Sequence, residues 1–201
     1  MIRPLRALPA AALVGVALAA AEAHADATLD AAGSSLTLLS TKVLADGSTS
    51  VTERHRFGSL AGGVDGAGAA SVEIDLASVA TGIDIRDERM REFLFETAEY
   101  PTATVTAQVP PDALEPGVHA IPLELELDLH GAVQSLTVPV VVDADEKGLV
   151  VTAVEPILLD AAAFGLDTGI AKLAALAKLM HIPTTVPVSF SLEFDREGTG
   201  T

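Results

Sequence analysis

Histidine, arginine and paired acids are the side chains here that could do chemistry, since the sequence has no cysteine. Without thiols there is no disulfide, no thiolate nucleophile and no cysteine-ligated zinc or iron–sulfur centre. Beyond the first 25 residues stand four histidines: His55, His119, His130 and His181. None falls in H-x-H or H-E-x-x-H spacing, so no zinc site is written in the chain. G-x-S-x-G, Walker A and G-x-G-x-x-G patterns are missing too. Adjacent acids such as Asp87-Glu88 make a poor acid–base pair, because sequence neighbours diverge on any regular element. The expectation is a protein with no catalytic residues, no metal and no cofactor. His130 reads as a structural hydrogen-bonding group.

Arg86, Arg89 and Arg91 form a cationic cluster, and on a helical turn Arg86 and Arg89 share a face. Two readings stand. The cluster is a self-paired, solvated turn, or Arg86 and Arg89 meet the phosphate, carboxylate or quinone oxygen of a ligand's head group. The surroundings are acidic: 12 basic residues face 28 acidic ones, a net charge of −16. That balance repels phosphate backbones and anionic lipid surfaces, which excludes nucleic acid as a partner.

The elements that must position these groups are strands. Leu123-Glu124-Leu125-Glu126-Leu127-Asp128-Leu129-His130 puts four leucines on one face and three acids with a histidine on the other. Residues 72–76 and 186–195 repeat the alternation, and further strands are expected at 35–43, 50–58, 102–109, 135–142 and 149–155. Turns are expected at Gly62-Gly63, Pro110-Pro111, Pro116-Gly117 and Lys147-Gly148. Residues 84–99 are densely charged and read as a helical turn or two. Residues 168–180 read as a helix with Ile170, Leu173, Leu176, Ala177 and Met180 on one stripe, capped by Asp167 or Thr168 and stopped by Pro183.

Roughly eight strands with one apolar face each make an all-β antiparallel barrel or sandwich. An outer-membrane barrel would turn that face to lipid and need aromatic girdles. With no Trp, one Tyr and six Phe, the apolar face is expected to point inward. Strand parity then nominates Leu36, Leu38, Ile74, Leu76, Leu123, Leu125, Leu127, Leu129, Val188 and Phe190 as the interior. Parity alone leaves open a packed core or the wall of a cavity. A cavity so lined has nothing to hydrogen-bond a sugar and suits a long aliphatic or isoprenoid chain.

The N-terminus reads as an address. Arg3 and Arg6 precede an apolar run from Ala7 to Ala21, and Ala23-His24-Ala25 supplies the small residues a signal peptidase reads. The run is short for a spanning helix. Residues 1–25 are therefore expected to be a cleaved secretory signal peptide, and 26–201 one periplasmic domain without stable membrane insertion.

At residues 74–101 the sequence resembles the YceI-like family. The residues concerned are Ile74-Asp75, Ser78, Thr81-Gly82, Arg86-Asp87, Phe95 and Tyr100-Pro101, followed by Leu127, His130-Gly131 and Phe164-Gly165-Leu166. The likeness runs over about residues 28–195. It implies a lipocalin-like eight-stranded antiparallel barrel with one or two short helices, holding a polyisoprenoid or similar amphiphilic lipid. The sequence departs from the family pattern at Gly33, at Arg89 and at Ala161, where the family carries histidine, histidine and arginine. The expectation is non-enzymatic binding or carriage of an amphiphilic lipid, whether polyisoprenoid, quinone or fatty-acid-like. The alternative is a filled-barrel interaction or stress-response protein with no small-molecule ligand.

Overall fold

The alternating segments become strands whose leucine faces look at one another. The computed structural model describes residues 26–196; the expected signal peptide lies outside them. The strands are β1 (Ala27–Val43), β2 (Ser50–Phe57), β3 (Leu60–Val64), β4 (Ala69–Asp75), β5 (Val79–Ala80), β6 (Thr102–Gln108), β7 (Gly117–Leu129), β8 (Ala132–Ala144), β9 (Gly148–Ala153), β10 (Ile157–Asp160) and β11 (Thr185–Arg196). Two short helices, α1 (Asp84–Arg89) and α2 (Asp167–Leu176), interrupt them.

Every strand pairing is antiparallel, and eight strands close a ring in the order β1, β3, β4, β6, β7, β8, β9, β11 and back to β1. β2 and β10 lengthen that ring at one end. β2 pairs with Thr37–Val43 of β1 beyond the reach of β3. β10 pairs with Thr185–Val188 of β11 beyond the reach of β9. Closure removes the exposed edges that an open sheet would have to protect.

Short polar turns make the hairpins. The Asp46 carboxylate accepts from the Ser48 and Thr49 amides between β1 and β2, and Asp145 accepts from Lys147 and Gly148 between β8 and β9. β7 and β8 are joined by His130-Gly131 alone, both at positive φ, as a two-residue type I′ turn requires.

Inside, Val138, Val140 and Val142 of β8 and Leu76 after β4 are almost inaccessible. Each such side chain contributes roughly 1.5–3 kcal/mol of burial. Glu124, Glu126 and Asp128 on the other face of β7 are exposed. The apolar face therefore points inward.

Several local expectations are corrected. Gly62-Gly63 is not a turn; both glycines lie inside β3, opposite Val72 and Ser71. A Cβ at Gly62 would overlap the Ser71 carbonyl, so the residue permits a close strand approach. The second helix is α2, and it ends at Leu176 instead of reaching Met180. Its N-cap position is Leu166, without a side-chain cap bond. Lys178 takes a positive φ, and Met180 and His181 then bond to Val43 of β1 as extended backbone. Leu176 and Met180 are accordingly exposed. α1 is followed directly by a π-helical turn over Met90–Leu94.

Candidate functional site

The barrel encloses a cavity of about 460 Å³, within the roughly 300–1,000 Å³ usual for small-molecule sites. Measured along β1, it runs from Val64, Val109 and Phe194 near Ala27 to Leu44, Leu179 and Pro183 beyond Val43. All ten side chains nominated by parity stand on its wall. Leu123, Leu125 and Leu127 of β7, Ile74 of β4 and Leu76 are buried there. Leu36 and Leu38 of β1, Leu129 of β7, and Val188 and Phe190 of β11 are only half-buried. They face space that no other side chain fills. Ile170 and Leu173 of α2, with Ala177 just past its end, complete the wall. Gly169 lets that helix dock, since a Cβ there would overlap the Phe93 carbonyl.

One end of this wall is polar. β2 is the strand whose sequence alternates on neither face, and it sends Glu53, His55 and Phe57 inward. Opposite, β1 contributes Ser40 and Lys42, and α1 contributes Arg86 and Arg89. Glu53 sits between two cations, 2.9 Å from Lys42 Nζ and 2.6 Å from Arg86 Nη1. Burial alone would raise its carboxyl. The hydrogen bond from Lys42 and the charges of Arg86 and Lys42 outweigh that and hold it below the ordinary carboxylate value.

Arg86 and Arg89 share the wall but not the same bonding. Every guanidinium nitrogen of Arg86 has a protein partner: Nε donates to Thr81 Oγ1 and Nη2 to the Thr81 carbonyl, both at 2.9 Å, and Nη1 to Glu53. Asp87 accepts from the Thr81 amide and hydroxyl. Arg86 thus ties the start of α1 to β2, a partner outside its own turn. Arg89 makes no side-chain hydrogen bond among the described residues.

His55 is 3% exposed, and its Nδ1 is buried without a hydrogen-bond partner among the described residues. Burial first, then the nearby Arg86 charge, push this imidazole below its ordinary value; the Glu53 charge, the adjacent Arg54 backbone and the Asp87 charge pull the other way. The ring is therefore neutral at neutral pH.

His130 does not line the cavity. Its Nε2 meets Glu96 at 3.0 Å and its Nδ1 the Phe164 carbonyl at 3.3 Å, while its ring lies against Tyr100 with centroids 4.3 Å apart. The segments at Tyr100-Pro101, His130-Gly131 and Phe164-Gly165 thereby meet in one structural latch, from which the Phe164 side chain alone reaches the cavity wall. Ser78 plays a similar part at the β4 corner, where its hydroxyl accepts from the Gly58 and Ser59 amides.

Sequence reading alone passed over Lys42, Glu53 and His55. The available signal was β2 itself, whose run Glu53-Arg54-His55-Arg56 leaves it without a continuous apolar face.

The YceI-like domain model matches residues 27–194. The chain belongs to the YceI-like family. Among solved structures, this YceI-like chain is similar to a polyisoprenoid binding domain from Saccharophagus degradans implicated in plant cell wall breakdown. The two are 40% identical with a TM-score of 0.81, over 87% of this chain and 100% of that one. BcnA of Burkholderia cenocepacia is 22% identical with a TM-score of 0.60, over 82% of this chain and 98% of that one. The YceI protein of Campylobacter jejuni is 13% identical with a TM-score of 0.52, over 71% and 84%. These two share the fold. A comparison with curated protein sequences finds no match.

Proposed function

We propose that this protein is an exported, non-enzymatic carrier of an amphiphilic lipid, whose apolar chain occupies the barrel cavity. The observation that carries this reading is the cavity of about 460 Å³ walled by aliphatic side chains and polar at one end. The Saccharophagus degradans relative, 40% identical, is itself a polyisoprenoid binding domain. A polyisoprenoid, quinone or fatty-acid-like chain matches a wall that offers shape and no hydrogen bonds. Ten buried methylenes at about 0.8 kcal/mol each are worth roughly 8 kcal/mol, a micromolar affinity before ordering costs.

The ten parity residues of β1, β4, β7 and β11 are the proposed chain-binding wall. Arg89 is the proposed cation at the polar end, because Arg86 is committed to Glu53 and Thr81. The periplasm is the proposed location, supported by the signal-like residues 1–25. Among the described residues no helix is long and apolar enough to cross a membrane.

Solvent extraction of protein expressed in a bacterium and purified without detergent tests the reading. A single lipid recovered near one per chain is the expected result. Protein that yields none, and takes up neither prenyl nor fatty chains afterwards, would overturn it in favour of a filled barrel.

A further inference from the structure

We infer that His55 is the residue that selects the head of the bound lipid, and that the head it selects bears an uncharged oxygen, a hydroxyl or a carbonyl. This rests on the lipid-carrier reading above. His55 lines the cavity between the apolar wall and the charged cluster: it pairs across the sheet with Leu38, while Glu53, one inward position away, pairs with Ser40. An amphiphile lying along β1 passes from hydrocarbon surroundings to polar ones at that step.

The imidazole is enclosed and its Nδ1 has no partner among the described residues. Buried polar groups are nearly always satisfied, so an imidazole on the cavity wall with a nitrogen left unpaired on its enclosed side marks a place where a ligand atom belongs once the ring turns. The torsion that turns the ring is broad and roughly two-fold, so either nitrogen can be presented to the lumen. A hydroxyl both donates and accepts and suits either tautomer; a carbonyl suits the protonated nitrogen.

The neighbours argue for an uncharged head. Lys42 and Arg86 are both paired with Glu53, and the remaining nitrogens of Arg86 are held by Thr81. Glu53 neutralises one of these two cations and takes up donors that they would otherwise offer an anionic head. The neutral ring of His55 offers a hydrogen bond and no charge. Arg89 is the cation that a phosphate would have to use, and the experiment reads it separately.

The test measures binding of geranylgeraniol, the matching hydrocarbon without the hydroxyl, and geranylgeranyl phosphate to the wild-type chain and to His55→Leu, His55→Gln and Arg89→Ala. The wild type should prefer the alcohol to both the hydrocarbon and the phosphate. His55→Leu should weaken the alcohol about tenfold, the scale of one buried hydrogen bond. It should leave the hydrocarbon unchanged and the thermal midpoint undiminished, since it also removes an unsatisfied group. His55→Gln should recover most of the alcohol preference.

An alcohol preference intact in His55→Leu would overturn the inference. So would a wild type that binds the phosphate best and loses that binding in Arg89→Ala. Each of those outcomes leaves the carrier reading standing. A wild type that binds none of the three lipids would overturn the inference, and one that also takes up no fatty chain would overturn the carrier reading with it.

Discussion

Arg86 and Arg89 lie three residues apart on one short helix and face one cavity, yet their energetics differ. Removing Arg86 strands Glu53 and unties Thr81 from α1. A half-buried, charge-assisted network of this kind is worth about 2 kcal/mol. Arg86→Ala is therefore expected to lower the thermal midpoint by roughly 4–8 °C, whereas Arg89→Ala should leave it in place; differential scanning calorimetry of the two variants decides. His55 and Glu53 add a pH signature. Both sit below their ordinary values, 6.5 and 4.5, so the unfolded chain binds protons more readily than the fold. Stability is complete above 6.5. It falls as pH drops through the lower folded value of His55, and Glu53 adds a loss of the same sign in more acid solution. Melting curves between about pH 7 and pH 5 should decline more steeply for wild type than for His55→Leu, and parallel curves would contradict the assignment. At this scale the sequence was half legible. It displayed Arg86 and Arg89 as a cluster, but the partner of Arg86 comes from a strand 33 residues earlier, which local spacing does not encode. His55 lay hidden because Glu53, Arg54, His55 and Arg56 put polar groups on both faces of β2.

The strands with one leucine face were legible because a period of two leaves a single register when one side is buried. The shortest ones, β3, β5 and β10, escaped for a physical reason. β3 is built on Ala61-Gly62-Gly63, whose value is the absence of side chains where β4 crosses close. β5 is two residues long and β10 four, too short to show alternation. α2 ran long in the sequence because its alanine-rich stretch continues the helical period through Lys178, yet pairing of Met180 and His181 with β1 claims that backbone first. The family motifs show the same division. Tyr100, His130 and the Phe164 carbonyl come together in a latch, and of the three residues Phe164 alone also lines the cavity, so Tyr100 and His130 mark the fold and not the ligand. His130→Ala should cost about 1–2 kcal/mol through its two lost bonds. Urea unfolding should register that loss while lipid retention stays at the wild-type level; lost retention in a folded variant would place the latch in binding.

At the scale of the molecule, the barrel combines a dry packed side, centred on Val138, Val140 and Val142, with a lumen its own side chains leave unfilled. A fold built only for stability would close that lumen, since unfilled apolar space forfeits dispersion contacts. A strongly acidic composition favours solubility and repels anionic surfaces, while the inward polar cluster stands where the cavity ends. On the proposed reading, the lumen is there for a lipid. Native and denaturing mass spectra of the protein purified without detergent, compared with those of Ala107→Trp, address it directly. Ala107 is a small residue on the cavity wall, and an indole there takes up the volume a chain would use. The expected result is a discrete extra mass on the native wild type, released on denaturation, and its disappearance in a folded Ala107→Trp. Bare wild-type protein that stays bare after incubation with prenyl and fatty chains would contradict it.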